Sequence, residues 1–131
     1  MTAMLPLAHR LILPYPPPTN RLYRRRQGQH ALYPSAEAKA FHAQVAAEAR
    51  AQGVTFGFVG PVCLTVHVYR PQRSGDLDGR LKALLDALQG VCYADDKQIV
   101  EIHAYRLDDK ARPRVEVVVE AAEGSAPECP V

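Results

Sequence analysis

A chain of 131 residues, 47% hydrophobic and 23% charged, has the size of one domain with one core, which leaves no room for two and does not fit a disordered polyelectrolyte. No apolar run approaches the ~20 residues that span a bilayer, and the start MTAMLPLAHR lacks the basic and long apolar regions of a secretory signal, so a cytoplasmic protein without a membrane partner is expected. Cys63, Cys92 and Cys129 are odd in number and far apart with no CxxC pair, which argues against a disulfide framework or a structural zinc site and fits a reducing cytosol.

The net charge of +2 hides an asymmetry. Residues 1–34 hold Arg10, Arg21, Arg24, Arg25 and Arg26 with no acidic residue and carry +5, while the rest of the chain carries −3. Such a basic arm can grip a polyanion while the acidic groups serve another purpose.

In chain order, residues 1–9 read as an N-terminal extension. Arg10 to Pro14 reads as a short strand, stopped by Pro14, Pro16, Pro17 and Pro18, which offer no N–H to a ladder. NRLYRRRQGQHALYP then reads as a basic loop. Ser35 is suited to cap a helix with Glu37 in its first turn, and Phe41, Val45 and Ala49 recur on one face of it. Gly53 ends that helix. Val62 to Arg70 alternates as a strand, with Val62, Leu64, Val66 and Val68 facing one way and Cys63, Thr65, His67 and Tyr69 the other. After PQRSG, a second helix runs from about Asp78 to Gln89, with Leu81, Leu84, Leu85 and Leu88 as its apolar face and Gly90 beyond its end. Strands near Ile99–Leu107 and Val115–Glu120 follow, and the tail from 122 to 131 reads as disordered.

The order β-α-β-α-β-β gives a single α+β domain over residues 10–121, a small mixed sheet with two helices. The second helix permits a parallel crossover between its flanking strands, and the short link before the last strand predicts a hairpin.

The chemistry-bearing carboxylates are Asp76 and Asp78 in GDLDGRLK, and Asp96 in YADDKQ, where Asp95 precedes it. In extended backbone, an i, i+2 pair points to one face. If the strand after Asp96 pairs beside the one ending near Arg70, the two acidic groups can meet. Phosphodiester hydrolysis builds charge on oxygens that are already anionic. A divalent metal offsets that charge and lowers the pKa of an attacking water, and magnesium takes hard oxygen ligands of this kind. Lys82 and Asp86 follow Asp78 at four-residue steps along a polar helix face, where Lys82 can hold a carboxylate, orient the water or meet a phosphate. Each acid also has an ordinary alternative. Asp76 can cap the helix, Asp78 can sit in its first turn, Asp95 and Asp96 can be turn residues, and Lys82 can be a solvated residue in a weak ion pair.

Arg21, Tyr23, Arg24, Arg25 and Arg26, with Arg73 in the PQRSG loop, are the candidate DNA contacts. Guanidinium groups pair phosphates, and tyrosine stacks on an unpaired base; the alternative is a solvated loop. His67 and His103 have no second ligand at a useful spacing and read as structural. Cys63 and Cys92 read as small core residues. No phosphate-binding loop, dinucleotide fingerprint or Ser/His/Asp order is present, so no small-molecule cofactor is expected.

LPYPPPTNRLYRRR followed by YPSAEAKAF, then GDLDGRLKALLDALQG and YADDKQIVE, together resemble the RusA family of Holliday-junction resolvases. The family signature runs D-L-D-N-x-x-K, then D-A-L, then D-D-x-Q-V/I, and the resemblance covers roughly residues 11–120. It implies a homodimeric α+β fold. The implied activity is Mg²⁺-dependent paired, symmetric cleavage across a DNA four-way junction in recombination and repair, with Mn²⁺ able to substitute. The family's catalytic and metal-binding aspartates match Asp76, Asp78 and Asp96, and its active-site lysine matches Lys82; Asp86 and Asp95 also fall on the signature. One departure is Gly79, which stands where the family usually has asparagine. A branched-DNA-binding protein without useful catalysis, or a nuclease for flaps or forks, are the alternatives; retention of Asp76, Asp78, Asp96 and Lys82 together favours an enzyme.

Overall fold

The computed structural model describes residues 8–17, 23–25, 32–71 and 77–122; for 23–25, 32–34, 78 and 79 it describes the backbone alone. The chain order is β1 (Ala8–Leu13), β2 (Tyr23–Arg25), β3 (Leu32–Pro34), α1 (Ala36–Ala51), β4 (Val62–Arg70), α2 (Leu77–Leu88), a 3-10 turn (Asp96–Gln98), β5 (Ile99–Asp108) and β6 (Arg114–Ala121). The main sheet has the order β1-β6-β4-β5. β6 is antiparallel to both β1 and β4, while β4 and β5 are parallel and joined by the α2 crossover.

Alternation puts one side of every inner strand into the core. Leu11 and Leu13 of β1, Val115, Val117 and Val119 of β6, and Val62, Leu64, Val66 and Val68 of β4 are buried, and they pack with Phe41, Val45 and Ala49 of α1 and Ala83, Leu84, Ala87 and Leu88 of α2. Both helices therefore cover the same sheet face. Ser35 caps α1 as expected, its side chain accepting from the Ala38 N–H. The helix closes at Gln52, and Gly53 follows with φ +102°, a left-handed conformation that glycine adopts without a Cβ clash.

Three expectations are corrected. The basic stretch is not all loop: β2 and β3 pair antiparallel within it, Tyr23 opposite Pro34 and Arg25 opposite Leu32. The last two strands are not a hairpin. β6 enters between β1 and β4, because its three buried valines need covered neighbours on both sides, whereas β5 is an exposed edge. The link between them crosses the end of β4, where the Asp109 N–H bonds the Arg70 carbonyl and the Arg70 guanidinium meets the Asp108 carboxylate at 2.8 Å. Finally, Cys63 is no core residue. It lies half-buried on the outer sheet face, where its thiol donates to Glu101 Oε1 at 3.3 Å. Cys92 is buried as expected, and burial pushes its thiol pKa up to about 12, far from a reactive thiolate.

The two discounted histidines do have structural neighbours. His67 stacks on Tyr105 with ring centroids 4.9 Å apart, and His103 meets Glu101 at 2.8 Å. Among the described residues, no helix is long and apolar enough to cross a membrane.

Candidate active site

The turn after α2 is built by local hydrogen bonds. Asp95 caps the 3-10 turn, its carboxylate accepting the Lys97 N–H at 2.9 Å, and Gln98 returns its side-chain oxygen to the Asp95 N–H at 3.0 Å. This reciprocal arrangement is a capping box. The Lys97 N–H, with Asp96 beside it, holds the Asp95 carboxyl below its ordinary pKa. Asp95 is thus occupied as a cap, and its neighbour Asp96 presents an exposed carboxylate.

Asp96 lies beside the last turns of α2. Tyr93 is buried there, and its hydroxyl donates to the Leu85 carbonyl at 2.9 Å. Asp86, half-buried on α2, has its carboxyl pKa raised, first by burial and then by the negative charge of Asp96. Lys82 Nζ approaches Asp86 Oδ2 at 3.6 Å, one helical turn earlier. Asp86 and the exposed Asp96 come from different segments, with Lys82 beside Asp86, and carboxylate oxygens are donors of the kind a hard divalent cation takes.

The route by which the acids approach differs from the one expected. β4 and β5 do pair, but in parallel, so the loop leaving β4 and the turn entering β5 lie at opposite ends of the sheet. The connection runs along α2 instead. Asp78 is the second residue of that helix, and eight residues at 1.5 Å rise put it about 12 Å along the axis from Asp86. Asp78, Lys82 and Asp86 form one row, with Asp96 at its far end. The side chain of Asp78 is not described, and Asp76 lies outside the described residues. Among the described residues no group of three His, Cys, Asp or Glu side chains forms a ready metal cage. Besides the capping Asp95, the candidate site residues whose side chains are described are Asp96, Asp86 and Lys82.

Of the candidate DNA contacts, Tyr23, Arg24 and Arg25 are placed on β2 by backbone alone, and Arg21, Arg26 and Arg73 lie outside the described residues. A residue that periodicity does not single out connects the basic segment with the acidic helix. Arg80 of α2 donates from Nη1 to the Pro16 carbonyl at 2.9 Å and lies over the Tyr15 ring, 4.9 Å from its centroid. The only hint in the sequence is a basic residue on a helix facing a proline run, whose carbonyls lack ladder partners.

The raised Asp86 pKa gives a prediction about pH. An acid whose pKa is higher in the fold than in the unfolded chain contributes stability below its unfolded value, near 3.8, and loses it as pH rises through the folded value. Without divalent metal, the stability of Asp86→Asn relative to the parent protein should therefore grow as pH rises from about 4 to 7. Urea midpoints taken across that range check it; a difference that stays flat or shrinks would contradict the geometry.

Comparison with known proteins bears on the same residues. The family described as endodeoxyribonuclease RusA matches residues 14–120. The chain is 30% identical over 113 residues to a crossover junction endodeoxyribonuclease RusA of Enterobacteria phage 82, covering 85% of this chain and 92% of that one. It is 31% identical over 111 residues to the protein of the same name from Escherichia coli strain K12, covering 83% and 91%, and 30% identical to that of Shigella sonnei. The matched span contains both the acidic row and the Asp95–Asp96 turn, and on this match the chain belongs to the RusA endodeoxyribonuclease family.

Proposed function

We propose that this chain resolves four-way DNA junctions by Mg²⁺-dependent, paired, symmetric hydrolysis of phosphodiester bonds, in DNA recombination and repair. The observation that carries the reading is the match of residues 14–120 to nucleases named for crossover junctions, a span in which Asp86, Lys82 and Asp96 lie near the C-terminal end of α2. Asp76 and Asp78 at the start of α2 and Asp96 beyond its far end offer the hard oxygen donors magnesium takes, with manganese able to replace it, but Asp78 and Asp96 stand too far apart along the helix to share one ion within a chain. When bound, the metal lowers the pKa of an attacking water and stabilises charge on the phosphate. Lys82 sits where its ammonium can orient a carboxylate or meet a phosphate oxygen, and the basic segment holds the DNA arms.

Two symmetric cuts need two such sites related by a two-fold axis, and one chain supplies one acidic row, so the acting unit is a homodimer. The described surface with most to gain from a second copy is β5, an edge strand exposing Val100, Ile102, Tyr105 and Leu107. The work belongs to the cytoplasm, where chromosomal or phage DNA is handled.

The test is incubation with a synthetic four-way junction, a flap and a plain duplex, with and without Mg²⁺, mapping the cuts. Paired cuts at symmetric positions on the junction, lost in chelator, are expected. Preferential cutting of flaps would reassign the substrate, and binding without cutting would make the chain a junction-binding protein. On the same junction, Arg24→Ala, Arg25→Ala and Arg26→Ala combined should weaken binding and flatten its salt dependence. Each phosphate that no longer has an arginine partner takes about 0.9 off the log–log slope on duplex DNA. A slope equal to that of the parent would mean the arginines are solvated.

A further inference from the structure

Gln98 uses every hydrogen-bonding position its side-chain amide possesses. Its oxygen accepts the backbone N–H of Ala94 at 2.9 Å and of Asp95 at 3.0 Å. Its nitrogen donates to the carbonyls of Phe58 and Gly60, both at 2.8 Å. An amide has two acceptor and two donor positions, so the group is saturated. A capping box requires only the bond to Asp95. The other three reach the preceding residue and a loop about 40 positions away in sequence, before β4.

That loop is itself pressed against the end of α2. The Phe58 N–H bonds the Cys92 carbonyl at 2.7 Å, and a Cβ placed on Gly57 would meet the Cys92 carbonyl carbon at 3.3 Å. Gln98 therefore fastens the Asp95–Asp96 turn to a part of the chain already fixed against the residues after the helix. The turn is exposed on its outer side and has no buried residue of its own. Burial alone would not hold it, and hydrogen bonds must.

We propose that Gln98 is the positioning residue of the metal site, fixing the Asp95–Asp96 turn so that the Asp96 carboxylate stays beside Asp86 on α2. This rests on the reading of Asp96 as a metal ligand. The Gln98 amide is spent on the chain's own backbone, so its part is to remove the freedom of the turn before the metal arrives, a freedom that would otherwise be lost on binding.

Two variants separate this from ordinary turn capping. Gln98→Ala removes all four bonds. Gln98→Glu keeps the shape and the acceptor oxygen but replaces the donor nitrogen with an oxygen facing two carbonyls. Mn²⁺ binding to the whole protein, followed by electron paramagnetic resonance, gives a readout independent of cutting, and Mg²⁺ titration of junction cutting gives a second. Thermal melting shows whether each variant is folded. The expected result is folded proteins whose half-saturating metal concentration rises roughly tenfold or more, with cutting restored towards the parent rate at high Mg²⁺. Asp96→Asn, run alongside, should lose metal binding at every concentration. If Asp96→Asn loses metal while both Gln98 variants titrate like the parent, Gln98 is only a cap and the proposal is overturned. If Asp96→Asn binds metal and cuts as the parent does, the ligand reading fails and this proposal falls with it. Failure of both Gln98 variants to fold would assign the residue to the fold at large and also overturn it.

Discussion

Asp76→Asn, Asp78→Asn and Asp96→Asn should each abolish junction cutting while leaving junction binding intact or tighter. Asparagine keeps the shape of the side chain and removes its charge, so the change tests metal binding with little disturbance of the fold. Loss of a metal ligand removes water activation and charge stabilisation together. A loss of roughly 4 kcal/mol in the transition state is about a thousandfold in rate. Binding should not suffer, because a negative charge facing a polyanion has been deleted. Asp96 is the clearest of the three, since its turn is capped by Asp95 and Gln98 and its own carboxylate is exposed. If the aspartates were merely caps and turn residues, each change would cost on the order of 1 kcal/mol of stability with cutting little altered. Junction cutting by Asp76→Asn and Asp96→Asn at near parental rates in Mg²⁺ would remove them from the active site. Lys82→Ala should also slow cutting, but it is a less clean test because the lysine can contact DNA and meets Asp86 at 3.6 Å.

The acids stand out in the sequence through the family signature, because their spacing alone fits helix caps and turn residues equally well. Their arrangement in space is harder to read. Spacing shows that Asp78, Lys82 and Asp86 share a helix face, but the place of Asp96 depends on strand direction. Parallel pairing of β4 and β5 sends the Asp96 turn to the C-terminal end of α2 and leaves Asp78 at the other end. Gln98 is visible only as a letter in a signature, because three of its four bonds reach beyond the Asp95 N–H it caps.

The fold shows the same division between local and distant effects. Ser35, Gly53 and the alternation of Val62–Arg70 act within a few residues, and the structure agrees with each of them. The β2–β3 pair escapes the sequence because each strand is three residues long and β2 is Tyr-Arg-Arg, without apolar alternation. The hairpin expected between β5 and β6 rests on loop length alone. The letters do not separate the two strands, since Val118 interrupts the alternation of β6 while Val100, Ile102 and Ala104 alternate with Glu101 and His103 in β5; burial separates them, with Val115, Val117 and Val119 buried and β5 exposed along most of its length.

Leu84→Ala should destabilise the domain by roughly 2–5 kcal/mol, and Leu85→Ala clearly less. The apolar pattern of α2 gives Leu81, Leu84, Leu85 and Leu88 equal standing, but packing separates them. Leu84 and Leu88 are fully buried against the sheet with Ala83 and Ala87, whereas Leu81 and Leu85 lie at the margin of the core. Ala83 and Ala87 are small and buried and α2 packs closely on α1, so the cavity left by Leu84 has little slack around it and collapses poorly. Truncation at Leu85 opens onto solvent, which fills the space at lower cost. The difference matters for function because α2 carries Asp78, Lys82 and Asp86, and because Tyr93 bonds the Leu85 carbonyl beside Asp96. Against a total stability of roughly 5–15 kcal/mol for a domain of this kind, Leu84→Ala should lower the urea midpoint substantially. It should also reduce junction cutting at warm temperatures, by unfolding and not by weaker metal binding. Equal midpoints for Leu84→Ala and Leu85→Ala would mean that α2 is rotated about its axis from the orientation described, and the acidic row would then face elsewhere.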